Sequence, residues 1–159
     1  MNMTDFSGEP SGSHAQRQHW LSILALAPCA ALEQALQQTL TVCEPPPLGW
    51  LRKPQSGLYM VRARAGGTGA QFNLGEASVT RCAVQDDSGR IGVGYVRGGN
   101  ARHAELVALF DLFLQNDESR PQLLATVIGP LAERQAAARE TASREAAATR
   151  VNFYTLARE

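Results

Sequence analysis

A chain of 159 residues, 44% of them hydrophobic, is long enough for one folded domain with a modest core. Its 15 lysines and arginines balance 15 aspartates and glutamates, which disfavours a nucleic-acid binder because that class carries a basic excess. The three cysteines are too widely spaced for a zinc or iron–sulfur site, so we expect reduced thiols and no bound metal. Residues 1–16 lack the apolar core of a secretory signal, and no apolar run is long enough to span a bilayer. A cytoplasmic protein without membrane contact is therefore expected.

The N-terminal third of the chain predicts helices. Residues 1–13, rich in glycine, serine and proline, are expected to form a flexible tail outside the fold. Apolar residues then recur at helical spacing from about His14 to the stop at Pro28, and again from Ala30 to Leu40. Two short helices joined at a proline indicate a helical hairpin. Pro45-Pro46-Pro47 follows as a rigid extended connector.

The middle of the chain predicts a sheet. Strands are expected at Leu48–Arg52, Leu58–Arg64, Ala77–Asp86 and Arg90–Arg97. Asp86-Asp87-Ser88-Gly89 is a strong hairpin turn, because aspartate and glycine tolerate left-handed backbone angles. Nothing in the pattern requires a parallel crossover, so the sheet is predicted to be an antiparallel meander.

The C-terminal part returns to helix. Asn100 is predicted to cap a helix running to about Gln115, whose broad apolar arc indicates that it lies flat on the sheet. A short helix from Pro121 to Ile128 is expected to end at Gly129, and a long alanine-rich helix to run from Pro130 to about Thr149. The predicted class is α+β, with a core domain at residues 14–129 and a C-terminal helix and docking tip at residues 130–159.

The alanine-rich helix offers little apolar area for packing on its own core. It is therefore expected to project into solvent or to pack on another chain. Apolar and aromatic residues return after it, and arginine with aromatics is typical of interface anchors. The candidate docking residues of this tip are Arg150, Phe153 and Tyr154.

A glycine-rich segment is the first candidate binding site. Three glycines in four residues let backbone amides converge on an anion, and flanking arginines supply charge. The same glycines suit a sharp bend or bulge between two strands, and without a family that interpretation is favoured. The segment is neither a Walker A loop nor a dinucleotide fingerprint. The candidate phosphate or interface contacts are Arg64, Gly66, Gly67, Thr68, Gly69 and Arg81.

Histidines supply the remaining candidates, as docking residues rather than catalytic ones. His103 and Glu105 are two residues apart on a helix, so they point to different faces, and His103 is expected at solvent or at an interface. Trp20 most simply belongs to the apolar face of the first helix, but Trp20 and the adjacent His19 are both candidate partner contacts. No catalytic triad or pair of carboxylates in one apolar site is recognisable, so catalytic residues stay unassigned.

Five motifs along the chain share a pattern with a known family: Arg17-Gln-His-Trp20, the Arg64–Gly69 segment with its continuation to Arg81, the Gly92–Gly98 strand, His103-Ala-Glu105 and Ala148–Thr155. In these motifs and in their order, the chain resembles the G subunits of bacterial carbon–phosphorus lyase over about residues 15–157.

The resemblance implies a subunit that assembles with H, I, J and K subunits and works with an L subunit. With the I, H and L subunits, the family supports the reaction of an alkylphosphonate with ATP, which displaces adenine and leaves ribose 1-alkylphosphonate 5-triphosphate. It implies no cofactor bound by this chain alone, because the complex uses ATP and the J subunit carries an iron–sulfur cluster with S-adenosylmethionine. The chain would be a non-catalytic or accessory subunit of a transferase. The residues alone leave open a free-standing phosphate- or nucleotide-binding protein.

Overall fold

The structure is a computed structural model that describes residues 12–41 and 47–149. The α+β class and the antiparallel meander are confirmed. The tip at residues 150–159 and most of the predicted tail lie outside the described residues, and the domain boundaries stay a prediction. The elements in chain order are α1 (Gly12–Leu26), α2 (Cys29–Leu40), β1 (Leu48–Arg64), β2 (Gln71–Asp86), β3 (Ile91–Arg97), α3 (Ala101–Leu114), α4 (Arg120–Leu123), a π-helical segment (Leu124–Ile128) and α5 (Gly129–Ala148).

The sheet has the order β1-β2-β3, and β2 pairs antiparallel with both neighbours. From Thr80 onward, alternate residues of β2 are buried, because one face of the sheet is covered by α3 and the other is not. The predicted turn at Asp86–Gly89 is present, with Gly89 at φ +84°.

The sequence predicts two separate strands, Leu48–Arg52 and Leu58–Arg64, where the structure has the single strand β1. This strand has 17 residues, with register shifts on both sides of Arg52. Pro54 interrupts the strand pattern in the sequence, yet a proline is tolerated here because β1 is an edge strand with one side unpaired. β2 likewise begins at Gln71 rather than Ala77, because pairing with β1 outweighs the poor strand propensity of Asn73 and Gly75.

Two glycines of β3 let α3 lie directly on the sheet. A Cβ added at Gly94 would stand 2.0 Å from the carbonyl oxygen of Ala104, and one at Gly92 would stand 2.1 Å from that of Ala108. The helix begins as predicted, because Asn100 Oδ1 accepts a hydrogen bond from the backbone N–H of His103 at 3.0 Å.

The core lies between α3 and the elements on both of its sides. Phe110 and Leu106 are fully buried, and they share the interior with Leu24 of α1, Leu32 of α2 and Val84 of β2. The predicted N-terminal pair of helices is present, and each helix packs on α3. Sheet, α3 and the N-terminal pair thus form three successive layers.

The predicted helix end at Gly129 is wrong. Gly129 has helical angles (φ −54°, ψ −59°), and its N–H bonds to the carbonyl oxygen of Leu124, five residues back. The π-helical turn leads directly into α5, which carries Pro130 in its first turn. Since proline has no N–H to donate and its ring crowds the carbonyl four residues back, a wider turn lets the helical path continue past it.

Candidate functional site

The glycine-rich segment forms the hairpin loop between β1 and β2. Gly66 and Gly67 have positive φ angles of 61° and 78°, and the N–H of Gly69 bonds to the carbonyl oxygen of Ala65 at 3.0 Å. The guanidinium of Arg64 donates to the carbonyl oxygen of Gly69 at 3.1 Å, which holds the loop closed. These glycines meet the conformational needs of a tight turn, as the bend interpretation expects.

Arg81 lies far from that loop. Arg64 pairs with Gln71 at the tip of the hairpin, whereas Arg81 pairs with Gln55 inside the three-stranded sheet. Arg81 lies ten positions after Gln71 along β2, a distance of about 30 Å in an extended strand. The structure therefore does not bring the six candidate phosphate contacts together into one anion site.

The hairpin extends beyond the sheet as a two-stranded arm, defined here as residues 58–78. β3 pairs with β2 only as far as Val79, so the arm has no third strand among the described residues. No residue of the arm is buried. Its large apolar side chains are exposed on both faces, with Leu58 at 69% and Leu74 at 64%. The others are Tyr59, Met60, Val61 and Phe72.

The arm adjoins the outer face of the sheet, the face opposite α3. Arg81 stands at its centre between two cross-strand neighbours, Gln55 of β1 and Tyr95 of β3, and directly opposed residues point to the same face. Tyr95 is 48% exposed, and no described helix covers this face. A shallow hollow of about 520 Å³ opens beside Arg81, between Tyr59 and Tyr95.

Trp20 belongs to the interior rather than to a docking surface. Its side chain is 3% exposed, and its Nε1 donates to Asp111 Oδ1 at 2.9 Å. Arg17 of the same motif donates to both oxygens of this carboxylate, at 3.1 and 2.7 Å. His19 is exposed, and its docking role stays a prediction. Sequence reasoning missed Asp111, which looks like one polar residue within an apolar helix.

His103 is half-buried and contacts α1 of its own chain. Its Nε2 lies 3.1 Å from the carbonyl oxygen of Leu24, and since a carbonyl only accepts, Nε2 carries the proton. Gln135 of α5 donates to the neighbouring carbonyl oxygen of Ile23 at 2.8 Å. Both side chains therefore satisfy carbonyls in the last turn of α1. This internal contact differs from the predicted place of His103 at solvent or at an interface.

α5 leaves the body of the protein after its first two turns. Leu131 is buried, but every residue from Ala136 to Thr149 is exposed, as the small apolar area of alanine predicts. The other candidate docking residues, Arg150, Phe153 and Tyr154, lie outside the described residues.

The described residues contain no cluster of three or more metal-binding side chains, and no helix among them is long and apolar enough to cross a membrane. Burial, reinforced by the charge of Glu105, raises the pKa of the Cys82 thiol to about 11, although a backbone hydrogen bond from Gly94 acts in the opposite direction. A thiol with that pKa is protonated at neutral pH and is a poor nucleophile.

An α+β domain with an exposed apolar arm and one uncovered sheet face has the surface of a protein that binds other chains. Residues 15–159 match the family described as phosphonate metabolism protein PhnG, and the chain belongs to that family. It is 37% identical over 144 residues to the alpha-D-ribose 1-methylphosphonate 5-triphosphate synthase subunit PhnG of Rhizobium meliloti (strain 1021). That match covers 91% of this chain and 90% of the relative.

Proposed function

We propose that this chain is a non-catalytic subunit of a synthase that makes ribose 1-alkylphosphonate 5-triphosphate in phosphonate catabolism. The name of the relative in Rhizobium meliloti supports the reaction, and the family supports the pathway. The proposed reaction is a transfer, in which an alkylphosphonate displaces adenine from ATP.

The proposed partners are the H, I, J and K subunits of a cytoplasmic assembly, with the L subunit acting alongside. In this proposal, ATP is the substrate of the complex and this chain holds no cofactor by itself. An iron–sulfur cluster with S-adenosylmethionine would belong to the J subunit and to the later cleavage of the carbon–phosphorus bond.

The exposed arm is the observation that most supports a role as a subunit of a complex. A two-stranded hairpin is at best marginally stable in water on its own, and this one presents apolar side chains on both faces. Burial against a partner supplies what the hairpin lacks, since each Å² of apolar surface removed from water contributes about 25 cal/mol. The chain alone is therefore expected to be marginally stable or to self-associate.

Co-purification with the I, H, J and K subunits tests the proposal. We expect the full chain to be recovered in a complex that converts ATP and methylphosphonate to the ribose triphosphate product. The double variant Leu58→Ser with Leu74→Ser should lower recovery, since both side chains are on the arm. Leu26→Ser is the matched control, because Leu26 is 58% exposed at the end of α1. If the unmodified chain forms no complex with these subunits, the proposal is overturned.

A truncation separates the role of α5 from that of the arm. The chain should be cut after Ala136 rather than after Gly129, because Leu131 is buried and Gln135 bonds to α1. We expect the truncated chain to keep the unfolding temperature of the full chain. Any loss of complex formation would then show that the exposed part of α5, or the residues after it, contacts a partner.

The alternative function is a free-standing phosphate- or nucleotide-binding protein that uses Arg64, the glycine loop and Arg81. The separation of about 30 Å between Arg81 and the loop counts against it. Titration of the isolated chain with ATP and with methylphosphonate decides between the two. Micromolar binding without partners would favour the alternative.

A further inference from the structure

The sheet together with its arm is the basic part of the molecule. Residues 48–97 contain seven lysines and arginines against three aspartates and glutamates, so this region carries a formal net charge of +4 in a chain whose total is zero. Apart from Arg90, which pairs with Asp86, none of these basic side chains lies within 4.0 Å of a described carboxylate. The remaining basic residues are Arg52, Lys53, Arg62, Arg64, Arg81 and Arg97.

The side chains of Arg81 and Arg97 lie beside apolar and aromatic residues on the outer face. On β2 and β3 the residues of the outer face alternate with buried ones, which places Arg81, Tyr95 and Arg97 on the same side as Val79. Val79 pairs with Arg97, and Arg81 pairs with Tyr95. The guanidinium group presents five donors in a fork that matches a carboxylate, and aromatic neighbours favour its planar face.

We propose that this outer face, centred on Arg81 and Arg97, docks a surface of another subunit of the synthase that carries carboxylates within an apolar surround. The inference rests on the proposed function and names the chemistry of the partner surface. Charge complementarity argues for it, because Arg52, Arg81 and Arg97 stand on this face without a described carboxylate. The exposed ring of Tyr95 and the half-buried Val79 supply the apolar surface between them.

A second copy of the same chain fits this face less well. Outside residues 48–97, the described part of the chain has eight aspartates and glutamates, and five of them already pair with arginines. Among those described residues, only Glu118, Glu133 and Glu145 are left for self-association. A different chain with its own carboxylates is the occupant that the charges favour.

Charge reversal at this face tests the inference. The affinity of the purified chain for the co-expressed I, H and J subunits would be measured at 50 and 300 mM salt. We expect the double variant Arg81→Glu with Arg97→Glu to bind about tenfold more weakly or worse, and to lose most of the salt dependence. Arg134→Glu is the matched control, because Arg134 is exposed on α5 and has no described ion pair. It should bind like the unmodified chain.

The outcomes separate the two proposals. If the unmodified chain fails to bind, the proposed function fails. If it binds and the double variant binds equally well, the docking inference fails while the proposed function stands. The unfolding temperature shows whether the charge-reversal variant folds. If that variant does not fold, the double variant Arg81→Gln with Arg97→Gln is measured in its place. If ATP binds the isolated chain and that binding requires Arg81, the face is a nucleotide site and the docking inference is overturned.

Discussion

Arg17 and Asp111 lie 94 residues apart in the sequence and form a two-point contact, with Nη2–Oδ2 at 2.7 Å and Nε–Oδ1 at 3.1 Å. The Asp111 side chain is fully buried, whereas that of Arg17 is 34% exposed. The same carboxylate accepts from Trp20 Nε1 and from the backbone N–H of Val93, each at 2.9 Å. One side chain of α3 therefore holds both α1 and β3.

Asp111→Asn should destabilise the fold. An amide places a donor where the carboxylate accepts, so at least one buried donor loses its partner and Arg17 loses its counter-charge. We expect a loss of about 3 kcal/mol in the free energy of unfolding, measured by urea denaturation. Asp87→Asn in the exposed turn should change it by less than about 0.5 kcal/mol. A stability within 1 kcal/mol of the unmodified chain for Asp111→Asn would contradict this assignment.

Gly94→Ala should be among the most damaging single substitutions of the sheet. The added methyl group would meet the backbone of α3 at Ala104, which cannot move without shifting the helix. We expect a loss of about 3 kcal/mol or failure to fold. Gly75→Ala is the control, because nothing lies within 4 Å of its added Cβ and its φ is not positive. Equal melting temperatures for the two variants would show that α3 does not lie this close to β3.

Local signals predicted most of the fold. Asn100 and the Asp86–Gly89 turn mark element boundaries by their own side-chain and backbone chemistry, so their places were predictable from short segments. The full length of β1 was not predictable in this way, because it depends on pairing with residues distant in the sequence. The continuation of the helix past Gly129 was not predictable either, because it depends on a π-helical turn that departs from regular hydrogen bonding.

The candidate site was less predictable than the fold. The Gly66–Gly69 segment shows its turn chemistry directly, but only the strand register reveals that Arg81 lies far from it. Trp20 and His103 have partners in Asp111 and Leu24, and sequence spacing does not encode such long-range contacts. In the sequence, the apolar residues of the arm look like those of an ordinary buried strand. Their exposure becomes evident only from the pairing of β3, which ends at Val79, at the base of the arm.

Cys82 should resist alkylation in the folded chain. With a pKa of about 11, roughly one thiol in a thousand is ionised at pH 8, and the side chain is 3% exposed. Iodoacetamide labelling followed by peptide mapping should modify the half-buried Cys29 first and Cys82 only in denaturant. Rapid labelling of native Cys82 would contradict the packing of β2 against α3.

Asp86 should contribute to stability except in acid. Burial acts to raise the pKa of its carboxyl, but hydrogen bonds from Ser88 and Arg90 and the charge of Arg90 outweigh it, so the pKa lies below its ordinary value of 3.8. The unfolded chain therefore takes up this proton at higher pH than the folded chain does. The contribution is present above about pH 4 and is lost as the pH falls through the folded pKa.

Asp86→Asn measures that contribution. Urea denaturation of both proteins at pH 7 and at several values below 4 should show the variant less stable at neutral pH and the difference shrinking in acid. A constant difference across this range would mean that the carboxylate has the same pKa in the folded and unfolded chains.

The π-helical turn at Leu124–Ile128 fixes the direction in which α5 presents its surface. A π turn holds one residue more than an α turn, so deleting one residue from it would restore regular geometry and leave the helix beyond it close to its present orientation. Successive residues of an α-helix are offset by about 100° around the axis, so the same deletion in the regular part of α5 would rotate everything beyond it by that angle. A single deletion is therefore expected to be tolerated within the π turn and to act at a distance within α5, where it would turn the exposed part of the helix away from whatever it meets.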